Sequence, residues 1–314
     1  MRRPDRAVAI GIVGAGAVGQ TVATSLITSA LPERLLLVSR TAGQATALVT
    51  DLDDMRQATG SPVRSQACAI EDLAEGAAVV IAVRAPFTNT RQADVRMGGG
   101  RANAPVVRAV AGALRGFNGT VLVVTNPVDL MTRLFAEVSG CRRVFGIGSN
   151  LDTARYRLLL ARSLDVPVHS VRGHVIGEHG DRAVVCASTT TVDELPTTVP
   201  LQLIRDELRT RPGLISAGVG RTRAGPAGAV LSTLRKALGF TDGIEELSVA
   251  YEDSWLGIPV RFRAGEPIPS LPNLDADERR QFTDTAARLR DAYTALSAFL
   301  PPSPSPDVFD ERTA

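Results

Sequence analysis

The sequence predicts an α/β fold, with a doubly wound parallel sheet in the first half of the chain. Short apolar runs at residues 8–13, 35–38, 79–83 and 121–124 are separated by longer amphipathic stretches. This alternation is typical of parallel strands joined by helices that cover both faces of a sheet. A glycine-rich turn after the first run, and a length of 314 residues of which 44% are hydrophobic, agree with such a sheet followed by a second lobe.

The glycine-rich turn at residues 14–19 follows the first apolar run and precedes a helix-like stretch. Its pattern, G-x-G-x-x-G, indicates a Rossmann-type dinucleotide site in this setting. Gly14 permits the tight turn, Gly16 lets the backbone approach a pyrophosphate, and Gly19 lets the helix pack against the strand. We expect the phosphates at the helix N-terminus, where free N–H groups attract anions. The predicted cofactor-binding residues of this turn are Gly14, Gly16, Ala17, Val18 and Gly19.

The second apolar run ends in Ser39 and Arg40, where an NAD-specific site has an acidic residue that binds the ribose 2′-hydroxyl. With no carboxylate to repel it, a 2′-phosphate fits against Ser39 and the guanidinium of Arg40. The sequence therefore favours NADP over NAD as the cofactor. The alternative is that Arg40 stacks over the adenine or points into solvent, which would leave the protein indifferent between the two cofactors.

The second half of the chain has a mixed pattern that predicts a C-terminal α+β domain. We expect helices over residues 153–163, 227–238 and 276–299, and strands over residues 171–176, 183–188, 246–251 and 258–263. The predicted domains are residues 1–149, which bind the dinucleotide, and residues 150–300, which bind the substrate. Residues 301–314 are rich in proline and serine at their start, and we expect them to form a flexible tail.

A histidine with charged residues upstream is the main chemical signal of this half. Imidazole donates a proton near pH 7, and a carboxylate beside His179 would raise its pKa; Asp152 is the candidate. Arg155 offers a guanidinium that holds a carboxylate through two parallel hydrogen bonds. Each residue alone is ordinary surface or core. Together, and after a dinucleotide motif, they predict a hydride-transfer site for a hydroxy or keto acid.

Composition and charge argue against several other classes of protein. The net charge of +2 and the isoelectric point of about 8.6 imply no strong attraction to nucleic acid or membranes. No run of about 18 apolar residues is present, and the N-terminus has no signal-peptide core, so we expect a cytoplasmic protein. Cys68, Cys141 and Cys186 are odd in number and widely spaced, which predicts reduced thiols and no metal site.

Four motifs in the same order resemble the L-lactate/L-malate dehydrogenase family, and the likeness runs from about residue 8 to residue 299. They are the glycine turn and the stretches VVTNPVD, LDTAR and IGEHGD at residues 123–129, 151–155 and 176–181. The resemblance implies that His179 donates and accepts the proton, that Asp152 orients it, and that Arg155 clamps the substrate carboxylate. It also implies that Asn126, beside the cofactor, hydrogen-bonds the reacting oxygen, and that the Asn126–Pro127 bond is cis.

The family also has a loop that closes over the substrate and carries an arginine that polarises the carbonyl. Counting back from Asn103 places this arginine at Arg96. The loop position that selects the substrate, about six residues earlier, falls on Thr90; its neighbour Arg91 takes that place after a one-residue slip and would pair with a second carboxylate. The glycine triplet at residues 98–100 replaces the usual helix start and favours a hinge.

The resemblance therefore implies an NAD(P)-dependent dehydrogenase of L-2-hydroxy acids that assembles as a homodimer or homotetramer. We expect a malate-like or oxaloacetate-like dicarboxylate as the small-molecule substrate. Two alternatives stay open. One is an enzyme for a lactate-like or unusual 2-oxo acid of specialised metabolism, and the other is a catalytically silent relative that retains the cofactor site.

Overall fold

A computed structural model describes residues 8–91 and 94–300 of the chain. Its strands are β1 (Ala9–Val13), β2 (Arg34–Val38), β3 (Arg64–Ala67), β4 (Ala78–Ile81), β5 (Thr120–Val123), β6 (Val144–Ile147), β7 (Val171–Arg172), β8 (Val175–Ile176), β9 (Val184–Val185), β10 (Thr191–Val192), β11 (Leu195–Pro196), β12 (Gly243–Tyr251), β13 (Ser254–Arg263) and β14 (Glu266–Pro269). Its helices are α1 (Ala17–Ser29), α2 (Ala42–Thr59), α3 (Gly100–Ala113), α4 (Val128–Ser139), α5 (Ser149–Leu164), α6 (Leu201–Val219), α7 (Ala224–Ala237) and α8 (Ala276–Phe299). The predicted tail, residues 301–314, lies outside the described residues.

A single sheet of nine strands runs through the molecule in the order β14-β13-β12-β6-β5-β4-β1-β2-β3. The strands from β3 to β6 are parallel to one another, in the order of a doubly wound dinucleotide-binding fold. Strands β12, β13 and β14 pair antiparallel, and β12 joins them to β6. The predicted fold class is confirmed.

The core follows from helices that cover both faces of this sheet. Strands β1, β4, β5 and β6 are buried along their whole length, as expected for central parallel strands. One continuous apolar cluster extends from these strands to α8, and a smaller one lies between α5 and α6 around Tyr156 and Ile204. The division at residue 149, near the start of α5, stays a prediction. Among the described helices, none is long and apolar enough to cross a membrane.

The strands predicted in the first half lie within two residues of β1, β2, β4 and β5. Two parallel strands, β3 and β6, were not predicted. The helix predicted over residues 153–163 begins earlier, at Ser149. Asp152 therefore lies on the first turn of α5 and Arg155 on the second, which places both side chains on neighbouring turns of one helix.

In the second half of the chain, the local sequence pattern did not predict all strands and helices correctly. The strand predicted over residues 171–176 is divided into β7 and β8, and of residues 183–188 only Val184–Val185 are a strand. Helix α6 was not predicted, and it contains Pro212, a residue that normally ends a helix. By contrast, α8 has the predicted bounds, because Asp275 and Glu278 form a capping box at its N-terminus.

Candidate active site

The centre of the candidate site is a short contact between His179 and Asp152. His179 Nδ1 lies 2.6 Å from Asp152 Oδ2, and both residues are buried. His179 follows β8 and Asp152 lies on the first turn of α5, so two separate elements meet here. Gly148, just before α5, makes the approach possible because a Cβ on it would lie 2.4 Å from the imidazole ring. The contact fixes the orientation of the ring and leaves Nε2 to exchange a proton.

Two arginines share the other oxygen of Asp152. Arg155 NH1 donates to Asp152 Oδ1 at 3.1 Å, and Arg96 NH2 donates to the same atom at 3.4 Å. Burial alone would raise the pKa of Asp152, but His179, Arg96 and Arg155 together hold that pKa well below its usual range. Asp152 is therefore ionised at every pH at which the protein is expected to work.

The balance of charge around His179 differs from the expectation that a carboxylate would raise its pKa. Burial and, after it, the positive charge of Arg96 lower the pKa of His179, and the opposing effect of Asp152 does not compensate. The sequence motifs indicate the carboxylate but neither the burial of His179 nor the arginines that share Asp152. An anion bound between Arg96 and Arg155 would offset their charges and move the pKa of His179 upward again.

Arg96 is carried by a short 3₁₀ turn, Val95–Met97, in the predicted loop. Helix α3 begins at Gly100, so the glycine triplet stands at a helix start, contrary to the departure expected from the sequence. At Gly99, with φ +79°, a Cβ would lie 2.3 Å from the ring of Phe87; at Gly98 it would lie 2.4 Å from Asn89. Gly98 and Gly99 thus admit packed loop side chains, and the expected hinge stays a prediction.

Arg91 is not among the groups around Asp152. It is exposed, and its backbone N–H donates to Asn89 Oδ1 at 3.2 Å. The next two residues along the chain, 92 and 93, lie outside the described residues. The structure therefore brings Arg96 to the cluster and leaves Arg91 on the surface.

Asn126 follows the carboxyl end of β5, and because β1, β4 and β5 are parallel it lies at the same edge of the sheet as the glycine turn after β1. The Asn126–Pro127 peptide bond is cis, as the resemblance implied. Asn103 Nδ2 donates to the backbone oxygen of Asn126 at 2.8 Å, and Asn103 Oδ1 accepts from the backbone N–H of Ala85 at 2.9 Å. Asn126 Oδ1 is buried without a hydrogen-bond partner in the described part of the chain, so the side-chain amide is available to a bound molecule.

Two buried polar residues near this site were not singled out from the sequence. Asn103, 3% exposed, connects the start of the loop to Asn126. Asp129 Oδ2 accepts from the backbone N–H of His179 at 2.9 Å, and burial raises the pKa of Asp129 to about 7. Asp129 stood in the VVTNPVD motif without an assigned role, and the burial of its carboxyl is a signal that only the folded chain provides.

The glycine turn has the shape that a dinucleotide phosphate needs. A Cβ on Gly19 would lie 1.8 Å from the backbone oxygen of Gly14. Gly14 has φ +113°, and a Cβ on it would lie 2.7 Å from the backbone oxygen of Ala82. At Gly16, in contrast, a Cβ would meet no atom within 4 Å. Helix α1 begins at Ala17, followed by Val18, so open space faces a helix N-terminus where an anion is favoured.

At the end of β2, Ser39 and Arg40 occupy the position predicted for the adenosine ribose. Ser39 is half-buried and its Oγ donates to Gln44 Oε1 at 2.5 Å, whereas Arg40 is exposed. Neither residue is a carboxylate. The arrangement leaves the Arg40 guanidinium free to move towards an anion at this edge of the sheet.

A doubly wound sheet with a glycine turn at its switch point, next to a buried histidine–aspartate pair and two arginines, defines the class of dinucleotide-dependent dehydrogenases. Comparison with known proteins gives the family within that class. The model for the lactate/malate dehydrogenase NAD-binding domain matches residues 8–146, and the model for the family's alpha/beta C-terminal domain matches residues 149–210. The chain belongs to the lactate/malate dehydrogenase family, whose members are NAD-dependent dehydrogenases of 2-hydroxy acids.

Both lactate dehydrogenases and malate dehydrogenases are among the similar proteins. The chain is 30% identical over 309 residues to L-lactate dehydrogenase 1 of Bifidobacterium longum subsp. longum, covering 91% of this chain and 96% of the relative. It is 31% identical over 321 residues to the malate dehydrogenase of Methanothermobacter thermautotrophicus, covering 93% and 98%. Sequence similarity therefore does not separate the two substrates.

Solved structures agree on the fold. A lactate dehydrogenase from a Medee basin deep-sea metagenome library superposes with a TM-score of 0.85 at 23% identity, covering 93% of this chain and 99% of that chain. The malate dehydrogenase of Plasmodium falciparum superposes with a TM-score of 0.86 at 20% identity, covering 94% and 100%. At these identities the likeness establishes the fold alone.

Proposed function

We propose that the protein interconverts an L-2-hydroxy acid and the corresponding 2-oxo acid, with a nicotinamide cofactor and a dicarboxylate as the favoured substrate. The observation that carries the proposal is the buried cluster in which Asp152 contacts His179, Arg155 and Arg96 at once. It combines a proton donor, an anchor for a carboxylate and a second cation near the reacting oxygen.

In the reducing direction each residue of the cluster has a separate role. Arg155 binds the carboxylate next to the carbonyl and fixes its orientation through paired N–H groups. Asn126 and Arg96 hydrogen-bond the carbonyl oxygen, and the charge of Arg96 stabilises the negative charge that develops there. His179, held by Asp152, gives its proton from Nε2 to that oxygen. The bound cofactor supplies the hydride.

The residues present fit a dinucleotide. We assign the pyrophosphate to the turn formed by Gly14, Gly16 and Gly19, with Ala17 and Val18 at the helix N-terminus, because open space at Gly16 there faces an uncapped helix N-terminus. We further propose that NADP is accepted and preferred over NAD, although the matched family model is that of an NAD-binding domain. The support for this is the absence of a carboxylate at Ser39 and Arg40.

Gly16→Ala is expected to weaken the binding of NADH and NADPH roughly tenfold, or about 1.4 kcal/mol, with little change in thermal stability. The added Cβ meets no protein atom, but it fills the space that we assign to a phosphate. Fluorescence titration of the reduced cofactor measures the affinity. Gly112→Ala, in the open at the end of α3, is the matched control and should bind both cofactors like the parent. Equal affinities for all three proteins would contradict the assignment.

The preference for a dicarboxylate is supported by an excess of positive charge. Arg96 and Arg155 face a single ionised carboxylate, and the positive charge of Arg211, on α6, also acts on the guanidinium of Arg155. A substrate with two carboxylates would neutralise this excess better than one with a single carboxylate. Arg91 stays a candidate for the second carboxylate only if the exposed part of the loop moves.

Initial rates of NADH and NADPH oxidation against oxaloacetate, pyruvate, 2-oxobutyrate, hydroxypyruvate and ketomalonate test the proposal. We expect turnover with at least one dicarboxylate at a kcat/KM well above that for pyruvate, and faster oxidation of NADPH than of NADH. Turnover of pyruvate or 2-oxobutyrate alone would support the lactate-like alternative. Cofactor binding without turnover of any acid would indicate the catalytically silent relative.

A further inference from the structure

The loop turn that carries Arg96 is tied to the rest of the protein through Asp94. Arg288, on α8, donates from NH2 to Asp94 Oδ2 at 2.5 Å. The backbone N–H of Asp94 donates to Asp181 Oδ2 at 2.8 Å. Both partners are remote in sequence from the loop, so these contacts attach it to the segment after His179 and to the C-terminal helix.

Arg288 also faces the residue that precedes His179. Its Nε lies 3.7 Å from Glu178 Oε2. Glu178 is 1% exposed, and neither of its carboxylate oxygens has a hydrogen-bond partner among the described residues. Arg288 thus lies between a carboxylate of the loop and a buried carboxylate beside the candidate proton donor. A guanidinium in this place is the compensating charge for both.

The position of Asp94 determines where Arg96 points. Asp94 has φ +47° and immediately precedes the turn Val95–Met97. The backbone N–H of Met97 donates to the backbone oxygen of Asp94 at 2.9 Å. Because the turn contains only three residues, the residue that precedes it, Asp94, sets its direction. From there the guanidinium of Arg96 reaches Asp152 Oδ1 at 3.4 Å.

We propose that Arg288 is a positioning residue: through Asp94 it holds the Arg96 turn against the site, so that the guanidinium of Arg96 stays beside Asp152 and His179. The proposal rests on the proposed function in so far as Arg96 acts on the substrate oxygen. The ion pair with Arg288 and the hydrogen bond to Asp181 hold Asp94 at two points, which restricts both the place and the rotation of the turn.

The first test measures the pKa of His179 in the full chain without substrate. The sequence has three histidines, so their imidazole resonances can be followed individually by NMR titration. The charged groups that face His179 are Arg96 from the loop, Asp152 and Arg155 from α5, and the Asp129 carboxyl from α4. Arg288→Gln and Asp94→Asn should each raise the pKa of His179, because the positive charge of Arg96 moves away. Loss of the negative charge of Asp94 by itself would lower the pKa of His179. A rise in Asp94→Asn therefore indicates movement of Arg96 and not the loss of that charge.

Two kinds of control test this interpretation: a neighbouring ion pair that includes another arginine of α8, and a double-mutant cycle with Arg96→Gln. Arg290, near Arg288 on α8, pairs with Asp253 at 2.8 Å, and Arg290→Gln and Asp253→Asn should leave the pKa of His179 unchanged. In an Arg96→Gln background, Arg288→Gln should produce no further rise. A rise that persists in that background would mean that Arg288 acts directly through its charge, and would overturn the proposal, as would an unchanged pKa in both Arg288→Gln and Asp94→Asn.

The second test is kinetic and uses the 2-oxo acid that the wild-type protein turns over. Arg288→Gln should lower kcat between roughly tenfold and a hundredfold, the cost of a displaced catalytic group, with a much smaller change in KM and unchanged cofactor affinity. An unchanged kcat would contradict the positioning role. If the wild-type protein turns over no acid, the proposed function fails, whereas the NMR titration still decides whether Arg288 positions Arg96.

Discussion

Replacing His179 with Asn is expected to lower kcat/KM for the preferred 2-oxo acid by about 10²–10⁴, the contribution typical of a positioned general acid. Asparagine retains a polar side chain of similar size but cannot deliver a proton near pH 7. Asp152 would keep its two arginines, at 3.1 and 3.4 Å, so the anchor for the substrate carboxylate should survive. KM and cofactor affinity are therefore expected to change far less than kcat, which steady-state kinetics and cofactor titration measure together.

His174 provides a control of the same geometry. Its Nδ1 lies 2.6 Å from Glu246 Oε1, outside the cluster around Asp152. His174→Asn should retain nearly full activity. Equal losses in His174→Asn and His179→Asn would indicate a general effect on folding, and full activity of His179→Asn would remove the proton-donor role from this residue.

The protonation state of His179 sets the sign of the pH dependence. Reduction needs a protonated His179, and burial together with the charge of Arg96 lowers the pKa of that imidazole. In the reducing direction kcat/KM should therefore fall as pH rises, starting below about 6.5, the ordinary pKa of histidine. In the oxidising direction it should rise over the same range. A carboxylate bound at Arg155 offsets the positive charge, so the inflection of kcat should lie at a higher pH than that of kcat/KM.

Arg155→Lys has the second largest expected effect. Arg155 is 6% exposed, so a substrate carboxylate at this position is removed from water and depends on its paired N–H groups. Lysine keeps the charge but offers one ammonium in place of a planar fork. We expect a loss of about 2–5 kcal/mol in kcat/KM, the usual cost of disturbing a desolvated charge pair. Kinetics against the preferred acid at saturating cofactor measure the loss.

Arg157 is the matched control, because it belongs to the same helix and pairs with Glu246 at 3.5 Å instead of Asp152. Arg157→Lys should change kcat/KM little. The clamp role of Arg155 would be wrong if both substitutions had the same small effect. A loss for Arg155→Lys that is equal for pyruvate and a dicarboxylate would place Arg155 at the carboxylate that the two substrates share.

The sequence predicted the parts of the fold that depend on local pattern. The strands of the parallel sheet that are buried on both faces are continuous apolar runs, and α8 has an N-terminal capping box, so both were found close to their observed bounds. Strand β3 was missed because its sequence, RSQA, is polar and belongs to the edge of the sheet. Helix α6 was missed because Pro212 and Gly213 interrupt its pattern while few of its side chains are buried.

The candidate site was predictable as a list of residues but not as an electrostatic balance. The motifs provided His179, Asp152 and Arg155, and counting along the loop provided Arg96. The motifs did not indicate how deeply His179 is buried, nor that two arginines share one oxygen of Asp152. Burial and, after it, the charge of Arg96 lower the pKa of His179, opposite to the expected direction. The contact between Asp94 and Arg288 spans 194 residues of sequence, and only the folded chain brings these two residues together.

The continuity of the nine-stranded sheet has a consequence for how the protein moves. Because β12 hydrogen-bonds to β6, the cofactor half and the substrate half share one uninterrupted set of backbone hydrogen bonds. A rotation of one half relative to the other would break that pairing, so hinge bending between two rigid bodies is disfavoured. Movements that open or shut the cleft are therefore expected in loops outside the sheet, such as residues 94–99 before α3, and substitutions that stiffen such a loop should slow turnover without altering the sheet behind it.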